Sequence, residues 1–160
     1  MSNSEASGRV WDLVEKFKTC MFATSTGEMI HARPMAPVAR RNENAIYFLT
    51  DVRGRKDDEI EARSPVCLTF ADHGANTFIC ISGEALVRDD RPLIRDLWSM
   101  AAQAWWENAD DPNIRVVEVI PRHAEYWDGP NSLVSSVVLA TAAMTGGEPD
   151  LGEHRKVDLQ

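Results

Sequence analysis

The sequence is poor in the features that mark most specialised protein classes. It has three cysteines in 160 residues, Cys20, Cys67 and Cys80, widely spaced and set among apolar neighbours. That spacing excludes a disulfide scaffold and a thiolate metal site, and predicts buried free thiols in a reducing compartment. None has a nearby histidine or helix start that would make it a nucleophile. The four histidines, His31, His73, His123 and His154, show no i, i+4 or H-x-H spacing, so no metal site is expected. No apolar run is long enough to span a bilayer. Met1-Ser2-Asn3-Ser4-Glu5 lacks the basic start and apolar stretch of a secretory signal, so a cytoplasmic location is expected. Positive charge is also scarce: 17 Lys and Arg face 25 Asp and Glu, for a net charge of −8. That balance argues against nucleic acid or an anionic membrane as a partner. There is no G-x-G-x-x-G, so a Rossmann sheet fits poorly. Without a G-x-S-x-G or other nucleophile–base pattern, covalent hydrolysis is disfavoured.

What remains is an ordinary globular composition, 44% hydrophobic and 26% charged, of a length that fits one domain over residues 1–144. Val10, Leu13, Val14 and Phe17 share one face of a helix from Ser4 to Lys18, capped by Ser4 or Ser7. Cys20 to Thr24 reads as a short buried strand. Met29 to Val38 follows as a second, with Pro34 and Pro37 pointing to an edge or bulge. Arg40 to Asn44 is a hairpin turn and Ala45 to Thr50 a third strand. Arg55 to Arg63 reads as a short helix. Val66 to Ala71 and Thr77 to Arg88 are strands, with Gly83 marking a bulge. Asp90 can cap a helix from Arg91 to about Trp106, with Pro92 in its first turn. Ile114 to Ile120 and Arg122 to Trp127 are two more strands, and Ser132 to Met144 a small apolar helix. Thr145 to Gln160 is Gly-rich and charged, and is expected as a tail or an arm on a partner. Antiparallel strands in sequence with helices inserted between them suggest a closed or split barrel.

Cations gather at two places against the acidic background. His31-Ala32-Arg33-Pro34-Met35 lies on one strand. Leu49-Thr50 leads through Asp51-Val52-Arg53-Gly54 to Arg55-Lys56 at the start of a helix, where free N–H groups and the helix dipole favour an anion. Arg55 and Lys56 can equally form a solvated turn with Asp57, Asp58 and Glu59. Arg33 suits a phosphate fork, or is simply exposed. Taken together, Arg33, Thr50, Arg55 and Lys56 suggest a grip for a dianionic phosphate on a flat apolar body. Trp127 ends a strand and could cover such a ring or an interface. Trp105 and Trp106 are adjacent, so at least one belongs at an interface or a ligand mouth.

Four segments carry a resemblance to the FMN-binding split-barrel superfamily typified by pyridoxamine 5′-phosphate oxidase, and most closely to its general-stress-protein branch. They are Arg33-Pro34-Met35, Tyr47-Phe48-Leu49-Thr50 leading to Arg55-Lys56, Ile81-Ser82-Gly83-Glu84-Ala85, and Glu125-Tyr126-Trp127-Asp128. The resemblance implies a six-stranded antiparallel split barrel with flanking helices and a homodimer with two FMN sites. Arg33, Pro34, Met35, Leu49, Thr50, Arg55 and Lys56 would bind the phosphate and one side of the ring, and Trp127 of a second copy would border it. The chain departs from the oxidase after Trp127. There the oxidase carries an Arg-Leu-His-Asp-Arg stretch for its substrate, and this chain has Asn131-Ser132-Leu133-Val134-Ser135 with no cation. Phe78 stands where the oxidase has a flavin-contacting glutamine. The resemblance therefore implies an FMN-dependent oxidoreductase of a small molecule, without true pyridoxamine phosphate oxidase activity. A non-enzymatic flavin-binding or flavin-storing stress protein, or a binder of a deazaflavin or haem, is the alternative. No residue is assigned as catalytic acid or base.

Overall fold

The computed structural model describes residues 2–53, 64–130, 132–150 and 152–160. The helix expected at Arg55–Arg63 lies outside them. Helix α1 (Asn3–Val14) opens on Ser2, whose Oγ accepts from the Glu5 N–H at 3.2 Å while the Glu5 carboxylate accepts from the Ser2 N–H at 2.7 Å. This capping box starts the helix earlier than Ser4 or Ser7. It also ends earlier than Lys18: the Lys16 and Phe17 N–H groups bond to Leu13 and Val14 carbonyls at 3.1 Å, a three-residue tightening that closes the last turn. Phe17 then packs edge-on to Phe70, centroids 5.4 Å apart.

Strands β1 (Cys20–Ser25) and β2 (Ile30–Met35) form a hairpin, with Cys20 opposite Met35. The single strand expected from Met29 to Val38 is two. Pro37 has no N–H to give a ladder, and after it β3 (Val38–Arg40) leaves β1 and pairs with β4 (Ala45–Asp51). The turn between them is a short 3₁₀ helix, Arg41–Glu43, closed by Asn44 at φ 49°, a left-handed position asparagine tolerates. Strands β5 (Ser64–Asp72) and β6 (Thr77–Arg88) follow, then helix α2 (Arg91–Leu97), strand β7 (Ile114–Asp128), helix α3 (Ser132–Thr145) and strand β8 (Glu153–Asp158). All pairings are antiparallel, in the order β2-β1-β5-β6-β7-β4-β3, with β8 also on β7. The result is a mainly antiparallel, split-barrel-like fold with flanking helices. Its sheet has eight strands and stays open, where six were expected.

Strand β7 explains the split. Its first half, Ile114–Val119, pairs with β4, and its second half, His123–Asp128, pairs with β8. Arg122 is the extra residue between them, since Ser82 faces His123 and Gly83 faces Pro121. The bulge reverses the in–out alternation. Val117 and Val119 before it, and Ala124 and Tyr126 after it, therefore enter the same core with Phe22, Phe48 and Phe70. This is why two strands were expected where one bulged strand runs through. A Cβ on Gly83 would lie 2.4 Å from the Ile120 carbonyl oxygen. Gly83→Ala is expected to cost about 1–3 kcal/mol of stability, the usual range for overpacking, as a lower urea midpoint with an unchanged slope.

The end of the chain, expected as a tail or an arm, carries β8. Val157 and Leu159 are buried, the Leu159 N–H bonds to the Arg122 carbonyl at 2.8 Å, and Asn3 bonds to both backbone groups of Asp158. The alternation of Val157 and Leu159 is too short a signal to stand out from its charged neighbours.

A second, smaller core lies across β4. Ala45 and Tyr47 point there with Ile94, Leu97, Ile114 and Val116, while Ile46 and Phe48 point into the main core. Asp90 caps α2 through the Leu93 N–H at 3.1 Å, as expected. The helix stops at Leu97 instead of Trp106, because Trp98 takes an extended backbone at ψ 134°. The chain then turns back through a 3₁₀ helix, Ala102–Ala104, toward the end of β4.

Candidate functional site

That return creates a chamber of about 690 Å³ at the end of β4, within the size range of small-molecule sites. Pro34, Met35 and Ala36 form one wall, Leu49, Thr50 and Asp51 another, and Ala102, Trp105 and Trp106 a third. The walls are mostly apolar because Leu49 faces the small core and Met35 the large one. Trp105 stands at the mouth, 80% exposed.

Besides Thr19 and Ser99, three polar groups interrupt the apolar walls. Asp51 accepts from Arg53 Nε at 2.8 Å and Nη2 at 2.6 Å, and from the Trp106 indole N–H at 3.1 Å. Arg53 is the main reason that the Asp51 carboxyl sits well below the usual carboxylate range. Asp51 is thus ionised at neutral pH and serves to hold Trp106 against the chamber, not to deliver a proton. The third group is Thr50. Its side chain is 2% exposed, and its Oγ1 is buried with no hydrogen-bond partner among the described residues. Buried hydroxyls are nearly always paired, so this one stands out on a residue that lines the chamber.

Four of the eight residues expected at a ligand, Pro34, Met35, Leu49 and Thr50, line this chamber. Arg33 does not: its Nη1 donates to the buried Thr24 Oγ1 at 2.7 Å. Arg55 and Lys56 lie outside the described residues. Trp127 is on the outer face of β7, 39% exposed, and does not border the chamber of its own chain. It stacks on His154 with centroids 4.7 Å apart and planes 6° from parallel, and His154 Nε2 lies 2.6 Å from Glu125 Oε1. Phe78 faces Trp127 across the β6–β7 ladder. Both members of the Trp105-Trp106 pair border the chamber, as one of them had to if not both could enter the core. Asp51 as the anchor of Trp106 was not foreseen, because 55 residues separate them.

The walls bind more readily than they react. Among the described lining residues, only Asp51 and Arg53 carry charge, and they neutralise each other. Chemistry in such a site comes from the ligand, with the protein supplying position and electrostatics.

Comparison with known proteins agrees with this architecture. The family profile described as "Pyridoxamine 5'-phosphate oxidase like" matches residues 5–150. General stress protein 26 of Bacillus subtilis (strain 168) is 25% identical over 128 residues, covering 76% of this chain and 87% of that protein. The solved structure of a candidate general stress protein 26 from Jannaschia sp. CCS1 superposes with a TM-score of 0.80 at 22% identity, covering 98% of this chain and 99% of that one. The general stress FMN/FAD binding protein of Xanthomonas citri superposes with a TM-score of 0.69 at 25% identity, covering 78% of this chain and 89% of that one.

Proposed function

Since the chain belongs to the pyridoxamine 5′-phosphate oxidase-like family, we propose that it is an FMN-binding oxidoreductase acting on a small molecule. The observation that carries this reading is the buried Thr50 hydroxyl, without a partner among the described residues, on a residue lining an apolar chamber. The residues present fit the group. Pro34, Met35 and Leu49 offer apolar surface to a flat ring, and Thr50 offers a hydrogen bond to a polar edge. Arg55 and Lys56, close after Thr50 in sequence, carry the charge that a phosphate dianion needs. When bound, FMN would supply hydride and single-electron transfer. The chain's own part is to seat the ring, exclude water with Trp105 and Trp106, and hold Asp51 ionised beside Arg53.

Thr50→Val tests this directly. The substitution keeps the shape and removes the orphaned hydroxyl. The flavin-free protein is expected to gain about 1 kcal/mol of stability in urea. FMN affinity is expected to fall about five- to tenfold, the worth of one neutral hydrogen bond. A less stable apoprotein with unchanged FMN affinity would overturn the assignment.

Activity as a pyridoxamine phosphate oxidase is not part of the proposal. The stretch Asn131 to Ser135 that follows Trp127 offers no cation to a second phosphate, and Ser135 is already bonded to Asn76 at 3.1 Å and to the Pro130 carbonyl at 2.9 Å. Efficient formation of pyridoxal phosphate and peroxide by the FMN-loaded protein would refute this. Trp127 can border the ring only from a second copy, since its own chamber excludes it. We therefore propose a homodimer, and light scattering in solution should give twice the chain mass.

A further inference from the structure

Cys67 on β5 and Cys80 on β6 have their sulfurs 3.3 Å apart. They sit on a diagonal of the ladder, Cys67 opposite Ser82 and Thr69 opposite Cys80, inside a run of nine consecutive residue pairs. That run fixes the two backbones, so the proximity belongs to the sheet and not to a loop. Both residues are half-buried, whereas Cys20 is buried. All three thiols are free, as expected, but the expected burial holds only for Cys20. Cys80 also borders a second cavity of about 490 Å³, together with Ser82, His123, Glu125 and Lys156, which Cys67 does not line. A small polar molecule in that cavity would meet Cys80, and Cys67 stands behind it.

We propose that Cys67 and Cys80 form a redox-active dithiol that reduces hydroperoxides and closes to a cross-strand disulfide. In the first step the Cys80 thiol loses its proton and its sulfur attacks one peroxide oxygen. The O–O bond breaks, and the departing oxygen takes up a proton and leaves as water or an alcohol. Cys80 is then a sulfenic acid. In the second step the Cys67 sulfur attacks the Cys80 sulfur. The S–S bond forms, the S–O bond breaks, and the Cys67 proton leaves with the hydroxyl as water. Two thiols lose two electrons and two protons, and one hydroperoxide is reduced. The order of roles follows from the surroundings. Cys80 lines the cavity and meets the hydroperoxide first, so it attacks, while Cys67, which does not line it, resolves. Closure needs the sulfurs to approach from 3.3 Å to a bond of about 2.05 Å, drawing β5 and β6 together at this diagonal.

The test uses the full-length, reduced wild-type protein exposed to hydrogen peroxide, quenched by alkylation and mapped by peptide mass. The expected product is one peptide pair joined through Cys67 and Cys80, lighter by two hydrogens, with two of the three thiols lost and Cys20 still alkylated. Dithiothreitol should restore both thiols. Cys67→Ser should stop at a dimedone-labelled sulfenic acid on Cys80, and Cys80→Ser should leave Cys67 unlabelled. Recovery of Cys67 and Cys80 as separate alkylated peptides, or as separate sulfonic acids, would overturn the proposal. So would a disulfide joining two chains. Each readout is independent of flavin, so the outcome does not depend on the function proposed for the chamber.

Discussion

FMN binding is expected to fall by about 100-fold or more when Arg55 and Lys56 are both replaced by alanine. Hydrogen bonds to a charged group contribute about 1.5–3 kcal/mol each, and each 1.4 kcal/mol is tenfold in affinity. The chain carries a net charge of −8, which repels a dianion at long range, so local cations must outweigh the field of the whole protein. The only cation lining the chamber among the described residues is Arg53, and Asp51 already holds it. Flavin fluorescence titration of the double variant checks the expectation, and the loss should shrink as salt rises, because salt screens the remaining field. Unchanged affinity would remove both residues from the phosphate site. This prediction and the Thr50→Val one probe opposite ends of the same ligand, so a ligand other than FMN would separate them: a flavin lacking the phosphate should feel Thr50 and not the cations.

The largest effect on stability is expected at Phe48. It is fully buried on β4, edge-on to Phe22 with centroids 5.1 Å apart and planes at 87°. Phe48→Ala should cost about 3–5 kcal/mol from lost burial and the cavity left behind. For a domain of this size that corresponds to a fall in Tm of roughly 6–20 °C. The consequence reaches the chamber, since Leu49 and Thr50 follow Phe48 on the same strand and line it. Thermal unfolding followed by far-UV circular dichroism measures the first effect. FMN affinity of the variant well below its Tm measures the second, and is expected to fall less than in the cation variant.

Much of the fold was legible because its signals are local. Short apolar runs bounded by turn residues marked β1, β4, β5 and β6. Asp90 and Pro92 marked the start of α2, and Gly83 marked the close approach at the bulge. The site was legible in part for the same reason: Pro34, Met35, Leu49 and Thr50 lie on the two strands whose composition pointed to a ligand. The errors share a cause as well. Met29 to Val38 reads as one strand because periodicity cannot say when a strand changes partner. Ile114 to Asp128 reads as two because the bulge at Arg122 reverses the alternation. The Arg33 to Thr24 contact was not foreseen either, because it depends on the register of β1 against β2.

By itself, the sequence determined the chemistry available: an acidic chain with 17 Lys and Arg against 25 Asp and Glu, apolar strands to build a sheet, and the residues that match the pyridoxamine 5′-phosphate oxidase-like family. Those properties depend on composition and on neighbours a few residues apart. Only the tertiary structure decided that Trp106 is held by Asp51, that the Thr50 hydroxyl has no partner among the described residues, that the chain's end becomes an eighth strand, and that Cys67 meets Cys80. Each of these requires segments distant in sequence to be brought into one register. Burial and the backbone ladder set that register over the whole sheet at once, and no local pattern carries it.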